Sequence, residues 1–300
     1  MELFNSISLK TCFGSNSQNR RTMTTSFKVI DDVLNGFYNS SLVVIAGRTT
    51  MRADSLIYKM IGNWILSKNF NILLFTTQCG YRNLEDHLIT RLCGITTTES
   101  LRFWQKESAA KVYERYGKIV EELRNKASEL SIEIPNEPVV HLTEIYSKSL
   151  QVMREKSIHA IVIDGYHFIH YDKDDNIRNM AKHLKESATR LDVPIIVNVP
   201  LPSKEGMPQP KLSDLGRYET GIDWDIYSDM VLGVTATDID NCAFERQYVK
   251  LEVLKNNYGK EGDGIDLEYD KTTRIVYSHE QEYARPPREM TQEEIDALPF

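Results

Sequence analysis

Six short segments rich in β-branched and apolar residues recur along the chain, at Leu42–Ala46, Ile72–Thr76, Ala160–Asp164, Pro194–Val199, Met230–Val234 and Tyr248–Leu254. Between the early ones lie helix-patterned stretches at Asp54–Ser67, Glu99–Leu130 and Asn176–Leu191. A strand buried on both faces reads as a continuous apolar run rather than as an alternation. Strands of that kind alternating with helices predict an α/β fold, with a mostly parallel central sheet and helices on both faces. The late stretch QYVKLEVLKNNYGKEGDGIDLEYDKTTRIVYS breaks the pattern, because its strands are separated by Asn and Gly turns. That chemistry predicts an antiparallel hairpin edge.

The 300 residues, 41% hydrophobic, suffice for a large buried core. The Ser-, Asn- and Thr-rich start buries little and is expected to be a loose arm over residues 1–24. The folded domain is expected over 25–278. From His279 the composition turns acidic and Pro-containing, which predicts a tail over 279–300. No internal repeat is visible. The net charge of −7 argues against a generally basic nucleic-acid surface, although a local basic channel is compatible with it. Cys12, Cys79, Cys93 and Cys242 form no C-x-x-C pair, so neither a disulfide framework nor a zinc site is signalled. No apolar run reaches membrane-span length, and the polar start MELFNSISLK lacks a signal-peptide core. A cytoplasmic protein with no membrane partner is expected.

Chemistry concentrates in SLVVIAGRTTMRADSL, where a strand, a loop beginning at Gly47 and a helix follow one another. Loop amides and a helix N-terminus in this arrangement hold phosphates. A phosphate loop of the G-x-x-x-x-G-K-S/T type would use Arg48, Thr49, Thr50 and Met51 as spacers after Gly47. Arg52 then stands at the second glycine, Ala53 at the lysine and Asp54 at the hydroxyl. Downstream, IHAIVIDGYHFIH places Asp164 at the end of an apolar strand, where P-loop ATPases keep the acid of their magnesium site.

Together with TSFKVIDDVLNGF and KLSDLGRYETGIDWDIYSDMVLGV, these motifs give the chain its family likeness. It resembles the RecA-like C-terminal domain of DnaB-type replicative helicases from about Thr25 to Tyr277. Thr25, Ser26, Phe27, Ile30 and Asp31 fill the family's T-G-F-x-x-L-D segment with one glycine changed. Its A/G-R-P-S-M-G-K-T loop is matched by Gly47 to Asp54, and its I-D-Y-L-Q-L strand end by Ile163 to Phe168. Its L-S-D-L is intact at Leu212–Leu215, and its hairpin K-x-R-x-G-x-x-G becomes Lys255, Asn257, Gly259 and Gly262.

The resemblance implies a RecA-like P-loop NTPase fold, and it also exposes which equipment has changed. The family's lysine and magnesium-binding threonine are Ala53 and Asp54, its water-activating glutamate aligns with Gln78, and its sensor glutamine with His167. Its S-Q after the fourth strand falls near Val199 and Pro200. The hairpin arginine that would reach a neighbouring subunit's phosphate is Asn257, while Asp164 and Lys255 persist. A catalytically degenerate domain that binds or regulates is therefore expected, with no cofactor. An ATP-dependent DNA helicase or translocase, using ATP and magnesium in a non-standard site, and a nucleotide or small-molecule sensor are the alternatives.

Lys204, Lys211 and Arg217 flank the segment that in the helicases carries a DNA-facing loop, and are the candidates for nucleic-acid contact. The resemblance implies a protein partner in replication, recombination or mobile-element processes. The arm before Thr25 is too short for the family's N-terminal domain and linker helix, so a monomer or small oligomer is expected. In REMTQEEIDALPF, Thr291 and Glu294 have capping-box spacing and Ile295 and Leu298 are three apart. With Pro299 and Phe300, this end is similar to the acidic tip of bacterial single-stranded-DNA-binding proteins, which implies a partner-docking peptide. Three other features have plainer readings. His167 reads as a core or boundary residue, Asp172–Asn176 as a helix-capping turn, and Phe103, Trp104, Tyr113 and Tyr116 as packing residues of the long helix.

Overall fold

The computed structural model describes residues 22–48, 53–68, 70–76, 121, 125, 130–133, 140–166, 169–170, 177–203, 209–236, 246–271 and 275–278. The first half carries β1 (Thr22–Met23), α1 (Lys28–Leu34), β2 (Phe37–Tyr38), β3 (Leu42–Arg48), α2 (Ala53–Lys68), β4 (Ile72–Thr76), β5 (Leu130–Glu133) and β6 (Val140–His141). The middle carries α3 (Leu142–Glu155), β7 (Ala160–Asp164), β8 (Ile169–His170), α4 (Met180–Leu191) and β9 (Ile195–Leu201). The last third carries α5 (Arg217–Thr220), α6 (Trp224–Tyr227), β10 (Met230–Ala236), β11 (Arg246–Asn256), β12 (Gly264–Asp270) and β13 (Ile275–Tyr277). Short 3-10 turns span Ile177–Asn179 and Leu212–Leu215.

Among these residues a nine-stranded sheet runs in the order β13-β12-β11-β10-β3-β9-β7-β4-β5. The six strands from β10 to β5 pair in parallel. Strands β11, β12 and β13 continue antiparallel from β10, the hairpin edge expected from the Asn and Gly turns. All six apolar segments are strands, and the expected helix at 54–67 is present, as is that at 176–191 over residues 180–191. The helix expected over Glu99–Leu130 lies outside the described residues except at 121 and 125, which are helical, and at Leu130, which opens β5 instead. Strands β1, β2, β5, β6 and β8 and helices α1, α3, α5 and α6 were not foreseen.

The period of two in a strand decides the layers. In β3, Val43 and Ile45 join the core that contains Phe27, Ile30 of α1, and Leu56, Met60 and Trp64 of α2. Leu42, Val44 and Ala46 join the opposite core, with Ile145 of α3 and Met180, Leu184 and Ala188 of α4. Spacing of four residues puts the last three on one helix face. Helix α4 ends where Asp192 turns left-handed (φ 52) and Pro194 follows, a common stop signal.

Helix α2 is buried on several sides because the start of the domain lies over it. The Trp64 indole N–H donates to the Thr24 carbonyl at 2.6 Å, and Phe37 meets the Trp64 ring edge-on. Asp31 fastens this cover, accepting the Thr25 N–H at 2.7 Å and the Thr24 hydroxyl. Gly36 completes it at φ +81, where an added Cβ would stand 2.6 Å from the Met23 carbonyl oxygen.

Candidate nucleotide site

In an open α/β sheet ligands bind beyond the carboxyl ends of the parallel strands. Here those ends belong to β3, β9, β7 and β4. Gly47 remains within β3, paired with Pro200 of β9 and Val234 of β10. Ala53 opens α2 and is buried, and Asp54 lies in its first turn. A carboxylate there suits the partial positive charge of the helix end, the same charge that would otherwise favour a phosphate.

Asp164 ends β7 and is 1% exposed. Because β9 lies between β3 and β7, the register sets Asn198 beside Asp164, with Thr76 of β4 on its other flank. The Asn198 amide donates to Asp164 Oδ1 at 2.8 Å, and the Tyr58 hydroxyl of α2 donates to Oδ2 at 2.8 Å. Tyr58 Oη and Thr76 Oγ1 are 3.4 Å apart. Tyr58 is fully buried and Asn198 nearly so. Burying a carboxylate is costly unless it is hydrogen-bonded, and these two donors meet that requirement. Gly165 then turns the chain at φ 94, a conformation that strains other residues. Among the described residues Ala53 therefore offers no amine to a phosphate, and Asp164 accepts one hydrogen bond on each of its oxygens.

Arg48 serves the interior of the fold. Its guanidinium donates to Asp214 Oδ2 at 2.7 Å and to the Pro202 carbonyl at 3.0 Å. The same Asp214 oxygen accepts the Lys211 N–H at 2.9 Å. One side chain from the end of β3 thus joins the Pro202 carbonyl to the aspartate of L-S-D-L. Lys211 has an exposed side chain, while Arg217 makes a two-pronged ion pair with Asp223.

Lys255 and Asn257 stand elsewhere. Lys255 lies opposite Val231 near the start of β10, and the Asp229 N–H donates to the Leu42 carbonyl at the start of β3. This is the amino end of the parallel strands, about 20 Å from Arg48 at ~3.3 Å per residue. These two residues therefore do not face the chain's own Gly47 loop. Asn257 donates its backbone N–H to the Asp229 carbonyl at 2.9 Å, and the Lys255 amine donates to the carbonyls of Asp225 and Ile226. The Asp229 carboxylate accepts the Leu42 N–H at 2.8 Å and pairs with Lys185 of α4 at 2.7 Å. Burial pushes the Lys255 ammonium below its ordinary value, against the pull of Asp229, Asp225 and Glu261. Burial, with Asp229 adding to it, raises the Tyr258 phenol to about 12.

Thr49, Thr50, Met51, Arg52, Gln78, His167 and Lys204 lie outside the described residues, as do Asp172–Asn176, Phe103, Trp104, Tyr113, Tyr116 and the tail with Ile295, Leu298, Pro299 and Phe300. The sequence reading missed Tyr58 and Asn198. A signal existed for Asn198, since a polar side chain inside the apolar run VPIIVNV requires a buried partner. Among the described residues no group of acids, histidines and cysteines is assembled to hold a metal, and no helix is long and apolar enough to cross a membrane.

Comparison with known proteins agrees with this topology. A solved ATPase domain superposes with a TM-score of 0.74 over 90% of this chain and 95% of that one, at 19% identity. A structure of a DnaB-like replicative helicase and its interactions with primase gives the same TM-score over 90% of this chain and 66% of that one, at 18% identity. Among curated sequences, the replicative DNA helicase DnaB of Geobacillus stearothermophilus is 23% identical over 180 residues, and that of Rickettsia typhi 28% over 189 residues. The matched regions span 38% and 37% of those relatives. The profile of the family described as DnaB-like helicase C terminal domain matches residues 22–276. With the match covering most of the chain and the parallel sheet and hairpin edge in place, the chain belongs to the DnaB-like helicase C-terminal domain family.

Proposed function

We propose that this chain is a DnaB-like RecA domain that has given up ATP turnover and acts as a binding or regulatory module in DNA replication or a related process. The observation that carries the reading is the start of α2, the helix that follows β3, where Ala53 and Asp54 occupy the first turn. Losing a lysine removes a charge-assisted bond of roughly 1.5–3 kcal/mol. A carboxylate about 4 Å from a phosphate adds repulsion on the order of 4 kcal/mol at an effective dielectric of about 20. Together these turn a micromolar site into one weaker than about millimolar. Its partners are proteins of the replication or recombination machinery, met through the domain surface or through Ile295, Leu298, Pro299 and Phe300 at the tail. Lys204, Lys211 and Arg217 are the residues it offers to nucleic acid. On its own the chain is a monomer or small oligomer.

The test is a thermal-shift and ATPase measurement on the full chain at about 1 mM magnesium-ATP, with and without single-stranded DNA. The expected stabilisation is at most about RT ln 2, below ~0.5 kcal/mol, and turnover is absent. A clear shift with turnover makes the chain an ATP-dependent helicase or translocase with a non-standard site. A shift without turnover makes it a nucleotide sensor.

A further inference from the structure

We propose that Tyr58 is an internal lock on Asp164, its hydroxyl holding the carboxylate oxygen that a hydrated cation would otherwise need. The proposal rests on the reading of the domain as a non-turnover module and adds a second lesion, separate from Ala53 and Asp54. Two observations carry it. Tyr58 is fully buried, comes from the helix that follows the phosphate-loop position, and donates to Asp164 Oδ2 at 2.8 Å. Asn198 holds Oδ1 at the same distance from the other side, leaving the carboxylate 1% exposed.

The geometry is that of a satisfied structural acid. A cation reaching Asp164 would have to replace a formed O–H···O⁻ bond and displace a phenol ring packed between α2 and the sheet. Tyrosine suits this role because its ring fills the core while its hydroxyl reaches a single acceptor. A hydrogen bond to a charged group is worth enough to shift a competing equilibrium by on the order of tenfold to a hundredfold. Repairing the loop alone therefore leaves the acid engaged.

The bond itself is tested by a double-mutant cycle on the full chain, with Tyr58→Phe, Asp164→Ala and the pair compared by urea denaturation. Non-additive losses are expected, because each single change removes the same bond. Additive losses overturn the lock whatever the protein does with nucleotide. Its functional consequence is tested in a background carrying Arg52→Gly, Ala53→Lys and Asp54→Thr. With Tyr58 retained, ATP affinity is expected to be the same in magnesium as in EDTA. With Tyr58→Phe, or with Tyr58→Leu to open more space, magnesium is expected to strengthen ATP binding by about tenfold or more.

Equal magnesium enhancement with Tyr58 in place overturns the proposal. So does a repaired loop that binds no ATP even after Tyr58→Leu, since the lock was then not the remaining obstacle. Binding of magnesium-ATP by the unaltered chain would instead refute the non-turnover reading, while the cycle still judges the lock.

Discussion

Arg48 gives the sharpest test of how this end of the sheet is built. Its guanidinium and the Asp214 carboxylate meet at 2.7 Å with side-chain exposures of only 4% and 9%. Arg48→Met keeps most of the apolar stem but leaves Asp214 buried without its cation. Removing one member of a buried pair costs about 3–5 kcal/mol. The Lys211 N–H still serves Asp214, which favours the lower end of that range. At roughly 2–4 °C per kcal/mol for a domain of this size, the melting temperature is expected to fall by about 6–20 °C. Arg48→Lys is expected to recover only part of the loss, because an ammonium cannot reach Asp214 and the Pro202 carbonyl with a rigid fork. Arg48→Met with Asp214→Leu is expected to be milder than Arg48→Met alone, since no charge is left stranded. Urea unfolding followed by circular dichroism measures all three, with an unchanged m-value as the control for a common unfolded state. A loss below about 1 kcal/mol for Arg48→Met, or a double variant worse than Arg48→Met alone, refutes the reasoning. Arg48 would then be available to a ligand, as its position beside Gly47 first suggested.

Two further outcomes concern the amino end of the sheet. Asp229→Ala strands the Leu42 N–H and leaves the part-exposed Lys185 ammonium to the Ser40 carbonyl, and is expected to cost about 1–3 kcal/mol by the same denaturation assay. Tyr258 favours its neutral form in the fold, with its phenol raised from 10.0 to about 12. Its contribution is whole below pH 10, and is lost as the pH climbs through about 12. Tyr258→Phe is expected to flatten that alkaline limb of the stability profile, and an unchanged limb would count against the assignment.

The parallel sheet was legible because its strands carry their own signal. Runs such as LVVIAG and AIVID are buried on both faces and admit few other structures. The hairpin edge was legible from the turns at Asn256–Gly259 and Gly262–Gly264. Helix α3 carried a signal that was missed, since Leu142, Ile145, Tyr146, Leu150 and Met153 recur at helical spacing and meet the core. Strand β6 is two residues long and leans on β8, so no local pattern announces it. At the site, motif spacing found Asp164 but not its occupant. Tyr58 lies within an apolar helical run, and only the packing of α2 against β7 shows where its hydroxyl goes. The motif assigned Asn257 to a neighbouring subunit's phosphate, and strand register sets it, with Lys255, at the other end of the sheet from the chain's own Gly47.

The strand order also dictates a schedule for synthesis. Strand β3 has its two partners in β9 and β10, and Leu42 pairs with Ile195, about 150 residues later in the chain. At about 5–20 residues per second, a ribosome that has finished β3 needs roughly 8–30 s to make the nearer partner. Until then LVVIAGR is an apolar ribbon with two open edges, a template for any passing strand. The centre of the finished sheet is thus the nascent chain's longest-exposed liability, and holding chaperones should recognise this segment before any other.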